Sequence, residues 1–405
     1  MKQQVKNISI EDYNYDLPDS QIAKHPVNPR HSSKLLVYKN GNLHSDSYWN
    51  VDEHLPKDCT LLFNETRVVQ ARLIFQKNEN TFIEVFCLEP LAGMDIQQAM
   101  QSQGNLEFKC LVGGARKWKS TPLFLTTQSG TILTAEKGEN ENGTFTIAFS
   151  WNSDQTFADI LEEAGKTPLP PYLNRQATAE DKTTYQTLFA KENGSVAAPT
   201  SGLHFSTPLL EKLRAKNFEQ KHLTLHVGAG TFKPVSTATI EEHDMHAEEF
   251  SVDLKLLDKL TNNPTVKIIA VGTTSMRALE SLYWLGVLAF ESKLNPNHLY
   301  VDQWEPYQQR NTVSTHDALF ALKEWFVSKK SNFVQAKTSL IIAPGYHHKI
   351  CNGLLTNFHQ PKSTLLLLVA SLIGDDWKKM YQFALANQYR FLSYGDGCLI
   401  LKNDQ

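Results

Sequence analysis

Cysteine is scarce and scattered. Cys59, Cys87, Cys110, Cys351 and Cys398 form an odd set with no C-x-x-C pair, which argues for a reducing compartment and against a disulfide frame. Long hydrophobic runs are also missing: no apolar stretch reaches the roughly 20 residues of a spanning helix. The opening MKQQVKNISIEDYNYDLP has no apolar h-region, so no secretory signal is visible. Charge of one sign is not in excess. A net charge of −3 argues against a strongly basic nucleic-acid binder, although binding needs only a local patch. Familiar signatures are absent too. No G-x-x-x-x-G-K-[ST] cradle and no G-x-S-x-G elbow occur, and Gly228-Ala229-Gly230 lacks the third glycine of a dinucleotide fingerprint. What is left is a cytoplasmic globular protein, with a hydrophobic fraction of 41% and a charged fraction of 20%. Its 405 residues leave room for two domains, or for one domain with an insertion.

The hydrophobic pattern changes along the chain. Leu35 to Tyr38 and Leu61 to Phe63 read as short strands. From about Leu73 to Phe149 short alternating segments are separated by Gly, Asn and charged turns, with KGENENG as a hairpin tip. That spacing suggests a small β-barrel or sandwich. Phe157, Ile160, Leu161 and Ala164 then share a helical face stopped by Gly165. Beyond them strands and helices alternate, which favours an α/β sheet. HLTLHV, KIIAV and Ser339 to Ala343 read as strands, GTTSMRALESLYWLG as a turn and helix, and YRFLSYGDGCLIL as a terminal strand pair. The densest signal is GLLTNFHQPKSTLLLLVASLIG, from Gly353 to Gly374. It reads as a strand to Phe358, a polar turn, and a buried helix from Thr364 to Ile373 with Pro361 in its first turn.

Five polar stretches share one form, with Gly, Ser or Thr near a strand end: 194–205, 225–232, 271–277, 356–364 and 393–397. Strand ends of α/β sheets are where such proteins hold ligands. His204, His226 and His359 each border an apolar segment, and they serve either as working groups or as structural histidines. Arg67, Arg72, Arg277 and Lys362 are cations suited to a carboxylate or phosphate, or to a salt bridge at a strand end. His243 with His246, and His347 with His348 and Cys351, lack zinc-motif spacing, so no metal is expected.

Together with FNETRVVQARL near the start, these stretches resemble, in order and over nearly the whole chain, the S-adenosylmethionine:tRNA ribosyltransferase-isomerase family of queuosine biosynthesis. The resemblance implies a discontinuous α/β main domain, residues 1–70 and 153–405, carrying an inserted small β-barrel domain at 71–152. It implies transfer and isomerisation of the ribosyl moiety of S-adenosylmethionine onto 7-aminomethyl-7-deazaguanine at the tRNA wobble position. The products are epoxyqueuosine, adenine and methionine. S-adenosylmethionine is then a consumed substrate and no cofactor is needed. The expected partner is tRNA with a GUN anticodon, and the expected state a monomer away from any membrane. Within the matched motifs, His204, His226, His359 and Asp396 are the candidate acid, base or orienting groups. Arg277 and Lys362, with the turn Thr273, Thr274 and Ser275, are candidates for carboxylate or phosphate. Arg67, Arg72, Thr200, Ser201, Gly228, Gly230, Asn357, Ser363 and Tyr394 complete the binding set.

The chain departs from the family pattern in several places. The family usually has Arg-Asp-x-Ser-Arg where Arg30, His31, Ser32, Ser33 and Lys34 stand, and acidic residues where Ser339 and Asn352 stand. Two other readings follow: a diverged paralogue using S-adenosylmethionine on another base or nucleoside, and a noncatalytic RNA-binding protein of the same fold.

Overall fold

A computed structural model describes residues 5–228, 235–309 and 311–402. In chain order the strands begin with β1 (Lys34–Lys39), β2 (Asn42–Ser47), β3 (Thr60–Asn64) and β4 (Thr66–Val68). There follow β5 (Arg72–Asn78), β6 (Thr81–Pro90), β7 (Asn105–Gly113), β8 (Leu123–Thr126), β9 (Ile132–Glu141), β10 (Thr144–Ser150) and β11 (Gly165–Lys166). The remainder are β12 (Glu192–Ser195), β13 (Glu219–Leu225), β14 (Glu248–Asp253), β15 (Ile268–Val271), β16 (Tyr300–Val301), β17 (Phe333–Thr338), β18 (Cys351–Asn357) and β19 (Gly397–Leu401).

Ten strands form one mixed sheet in the order β16-β17-β14-β13-β3-β15-β18-β19-β1-β2. At its centre β13, β3, β15 and β18 run parallel. Such strands are buried on both faces, and β3 and β15 accordingly carry the continuous apolar runs Leu61–Phe63 and Ile268–Val271. The flanking β19 is antiparallel to β18, and β1 is parallel to β19. Asn64, Leu225, Val271 and Asn357, the last residues of the parallel strands, therefore share one edge with Lys34 and Gly397, the first residues of β1 and β19.

The helix Thr273–Phe290 crosses one face and is buried for most of its length. Gly286 lets the helix Thr315–Ser328 cross against it, since a Cβ there would lie 2.3 Å from the carbonyl oxygen of Ala318. The helix Thr364–Ile373 forms where expected. Its N-cap is Ser363, whose Oγ accepts from the Leu366 N–H, so Pro361 belongs to the preceding turn and not to the first helical turn. Leu366, Leu367 and Val369 are fully buried, each contributing about 1.5–3 kcal/mol of apolar transfer.

The segment expected as a barrel is an antiparallel sheet in the order β11-β5-β6-β7-β10-β9-β8. It has its own core around Phe75, Ile83, Val85, Phe108, Leu133 and Phe149. β8 curls back beside β5, but no ladder joins them among the described residues. Two other expectations change. Ser339 to Ala343 lies beyond the end of β17, where Leu340 N–H turns to the Thr338 hydroxyl (3.0 Å) and Ala343 N–H to the Tyr307 hydroxyl (3.2 Å). The terminal strand pair is a single strand. Asp396 accepts from the N–H groups of Arg390 (2.8 Å) and Lys34 (2.9 Å), closing residues 390–396 into a loop.

Candidate functional site

The shared edge is where the chain opens a cleft. Its walls come from the crossover 197–201, from Val227, from Gly272 to Thr274, from Asn357 to Gln360 with Ser363 and Leu365, and from Tyr172, Leu392 and Ser393. A cleft outside the carboxyl ends of parallel strands is the usual ligand position in open α/β sheets, because the connections there leave in different directions.

Asn357 organises one wall. Its Oδ1 accepts from the hydroxyls of Thr200 (3.1 Å) and Ser201 (3.3 Å), and its Nδ2 donates to Nε2 of His204 (3.0 Å). His204 Nδ1 faces the Ser33 hydroxyl at 2.7 Å. Its ring stacks on Tyr48 with centroids 4.4 Å apart. Burial, helped by Arg390 and Arg30, lowers the His204 pKa to about 3. Both ring nitrogens are occupied and the side chain lies behind the cleft wall, so His204 supports Asn357 from the rear.

A second wall belongs to the helix Thr273–Phe290. Gly272 at its N-cap has φ 97° and no side chain caps the first turn. The N–H groups there stay available to an acceptor, and their partial positive charge suits an anion. Asn64 braces this end, with Nδ2 donating to the carbonyl of Leu225 (2.9 Å) and to the Thr274 hydroxyl (3.4 Å).

His359 is the titratable group of the third wall with an imidazole to offer. Its backbone is clamped: N–H donates to the Tyr381 hydroxyl (3.0 Å), and the carbonyl accepts from the Tyr15 hydroxyl. Nε2 pairs with the Thr356 hydroxyl at 3.0 Å, while Nδ1 has no hydrogen-bond partner among the described residues. Burial lowers its pKa to about 3, so the ring is neutral near pH 7. Tyr172, hydrogen-bonded to Ser393 at 2.5 Å, has its pKa raised to about 12 by burial.

The remaining candidates are placed as follows. Thr200, Ser201, Thr273, Thr274, Asn357, His359 and Ser363 line the cleft. His226 lies behind Val227, its Nδ1 3.0 Å from the Thr66 hydroxyl, with burial lowering its pKa to about 4. Ser275 donates to the carbonyl of Val271 (2.9 Å). Arg277 is committed to Glu248 and to the carbonyl of Leu340 (3.1 Å), and the same Glu248 accepts from Gly228 N–H (3.3 Å). Lys362 pairs with Glu11 at 2.6 Å. Tyr394 donates to Asp181 (3.0 Å), Asp396 staples its own loop, and Arg67 is exposed on β4. Arg72 pairs with Glu84 (2.5 Å) on the second sheet. Gly230 lies outside the described residues. Tyr172 lines the cleft from outside the five polar stretches, and Gln360 and Ser393 line it from within two of them without having been named as site residues. Among the described residues the polar part of the cleft is thus built of hydroxyls, amides, a helix end and one neutral imidazole, set among apolar residues such as Ala197, Val227 and Leu365.

That construction defines a class: an α/β protein with a cleft at the carboxyl edge of its parallel strands. The chain belongs to the family described as queuosine biosynthesis protein, whose profile matches residues 10–400. It is 35% identical over 97% of its length to the whole S-adenosylmethionine:tRNA ribosyltransferase-isomerase of Halothermothrix orenii. It is 33% identical to the protein of that name from Prochlorococcus marinus, covering 98% of this chain and 97% of the relative. A crystal structure of S-adenosylmethionine tRNA ribosyltransferase from Thermotoga maritima aligns with a TM-score of 0.46 at 25% identity, covering 96% of this chain and 100% of that one.

Proposed function

We propose that this chain moves the ribosyl moiety of S-adenosylmethionine onto 7-aminomethyl-7-deazaguanine at the wobble position of a GUN-anticodon tRNA. The products are epoxyqueuosine, adenine and methionine. The observation that carries the reading is the meeting of residues 200–201, 272–274, 357–360 and 363 in one cleft, within a chain that matches its family over residues 10–400.

The chemistry follows from the donors available. The sulfonium acidifies the C5′ protons, and Nδ1 of His359, neutral and unpartnered, is our candidate to take one. The uncapped helix end at Thr273 and Thr274 suits the methionine carboxylate. Arg277 and Lys362 already have carboxylate partners and are assigned no such role. Ala197, Ala198, Val227 and Leu365 offer apolar surface for the adenine ring. Thr200 and Ser201 lie where they can bond ribose oxygens, held in place by Asn357.

The diverged-paralogue reading rested on the substituted positions, and of these His31, Lys34, Ser339 and Asn352 do not line the cleft. His31 Nδ1 bonds the Ser206 hydroxyl (2.5 Å), and Lys34 Nζ bonds the carbonyls of Asn387 (2.9 Å) and Gln388 (3.3 Å). Asn352 accepts from Ile268 N–H (2.9 Å), and Ser339 N–H donates to Val301 (3.0 Å). Each performs a local structural task. The test is adenine release from S-adenosylmethionine, with and without tRNA carrying the deazaguanine precursor. Release only with that tRNA is expected; release with a different acceptor, or none at all, would overturn the reading.

A further inference from the structure

On the outer strand of the main sheet the fold assembles a second polar cluster, separate from the cleft. His44 and Asp46 are two residues apart on β2, so their side chains leave the same face. The chain then turns through Tyr48–Asn50 and the helical turn Val51–His54, which returns His54 to that face. One ligand atom from each of His44, Asp46 and His54 lies within 4.8 Å of the other two. His54 Nε2 is 2.7 Å from Asp46 Oδ2, and the two imidazole centroids are 5.2 Å apart. The other carboxylate oxygen accepts from Ser47 N–H (2.6 Å) and Asn50 Nδ2 (2.9 Å). Burial alone would raise the Asp46 pKa; the bonds from His54, Asn50 and Ser47 outweigh it and lower the value.

We propose that His44, Asp46 and His54 bind Zn2+, with water completing the coordination. Two imidazoles and a carboxylate suit a borderline divalent cation and not Mg2+ or Ca2+, which take all-oxygen sets. Tetrahedral ligands about 2.0–2.2 Å from zinc lie about 3.4 Å apart, so the 2.7 Å pair of His54 and Asp46 must open by a side-chain rotation to admit the ion. The carboxylate is already oriented by bonds to its second oxygen, as metal-binding carboxylates usually are. An ordinary ion pair accounts for Asp46 and His54 alone. It leaves out His44, which is exposed and has no hydrogen bond among the described residues. The ion would tie β2 to the turn carrying Tyr48, whose ring backs His204, and so stiffen the rear of the cleft without entering it.

The test uses the full-length, metal-stripped protein. Zn2+ is titrated against a chromophoric chelator, and Co2+ is followed by its visible d–d bands. One equivalent bound with micromolar or tighter affinity is expected. His44→Ala, at an exposed position that leaves the fold intact, should weaken binding at least about tenfold and remove the cobalt bands. A His243→Ala/His246→Ala double variant should bind as the parent does. No binding in competition, or equal affinity for His44→Ala and the parent, overturns the proposal.

Discussion

Substituting the two buried histidines nearest the cleft should separate chemistry from support. In His359→Gln the amide can still donate to the Thr356 hydroxyl, now 3.0 Å from Nε2, but it cannot take a proton. Losing a general base typically costs about 10²–10⁴ in rate, or about 2.7–5.4 kcal/mol of barrier. Stability should change by about 1 kcal/mol or less, as one neutral hydrogen bond is kept or lost. His204→Gln is the reverse case. It cannot reach both Ser33 and Asn357, and it gives up the stack on Tyr48. One or two buried hydrogen bonds at about 0.5–1.5 kcal/mol each, with a ring stack of similar size, put its stability cost at about 1–4 kcal/mol. Its effect on catalysis passes through Asn357 and the hydroxyls proposed to bind substrate, so it should appear mainly in KM. The assays are urea unfolding and single-turnover adenine release. If His359→Gln turned over within a few-fold of the parent, or His204→Gln lost rate at saturating substrate while its stability held, the division of labour would be wrong.

Acid should destabilise the fold early. His204, His359, His226 and His348 are held neutral by burial, with pKa values lowered to about 3, 3, 4 and 4. Below the unfolded value of about 6.5 the unfolded chain takes up protons that the native state refuses. Their contribution is therefore complete above that pH and falls by up to about 1.4 kcal/mol per pH unit per histidine as pH drops; a urea midpoint flat between pH 7 and 5 would refute this. Glu280→Gln should cost about 2–4 kcal/mol, read as a lower urea midpoint. The carboxylate is fully buried and accepts from Tyr346, Lys349, Ile350 and Cys351, and an amide would set a donor against these N–H groups. Gly286→Ala should destabilise by about 1–3 kcal/mol or more, since its Cβ meets the Ala318 backbone; an unchanged thermal midpoint would count against so close a helix crossing.

How much of this was legible in the sequence depends on the range of the forces involved. β3, β15 and the helix Thr364–Ile373 could be read directly, because apolar periodicity and a capping serine are local signals. The end of β17 could not. Ser339 to Ala343 is as apolar as a strand, but Leu340 N–H turns back to the Thr338 hydroxyl and Ala343 N–H goes to a tyrosine hydroxyl brought by another element. Asp396 makes the same point, since its partners at residues 34 and 390 remove the second strand of the terminal pair. The resemblance placed the motif residues near one another, yet could not tell those lining the cleft from those behind it.

That distinction is set by pairing, which a linear reading does not contain. Arg277 and Lys362 have the charge for an anion, and each meets a carboxylate first, from residues 248 and 11. Once paired, a cation gains little from a second anion, whereas an uncapped helix end has no competing acceptor. Among the described groups that line the cleft, the uncommitted donors therefore sit at Thr273 and Thr274, and the uncommitted ring nitrogen at His359. On the proposed reading the anionic group of the ligand goes to the helix end and its acidic C–H to His359, leaving both ion pairs in place. Charge-conserving changes at the paired sites, such as Arg277→Lys, should accordingly lower stability while leaving the KM for S-adenosylmethionine within about twofold of the parent. A large rise in KM in a folded Arg277→Lys would show that the arginine reaches the ligand after all.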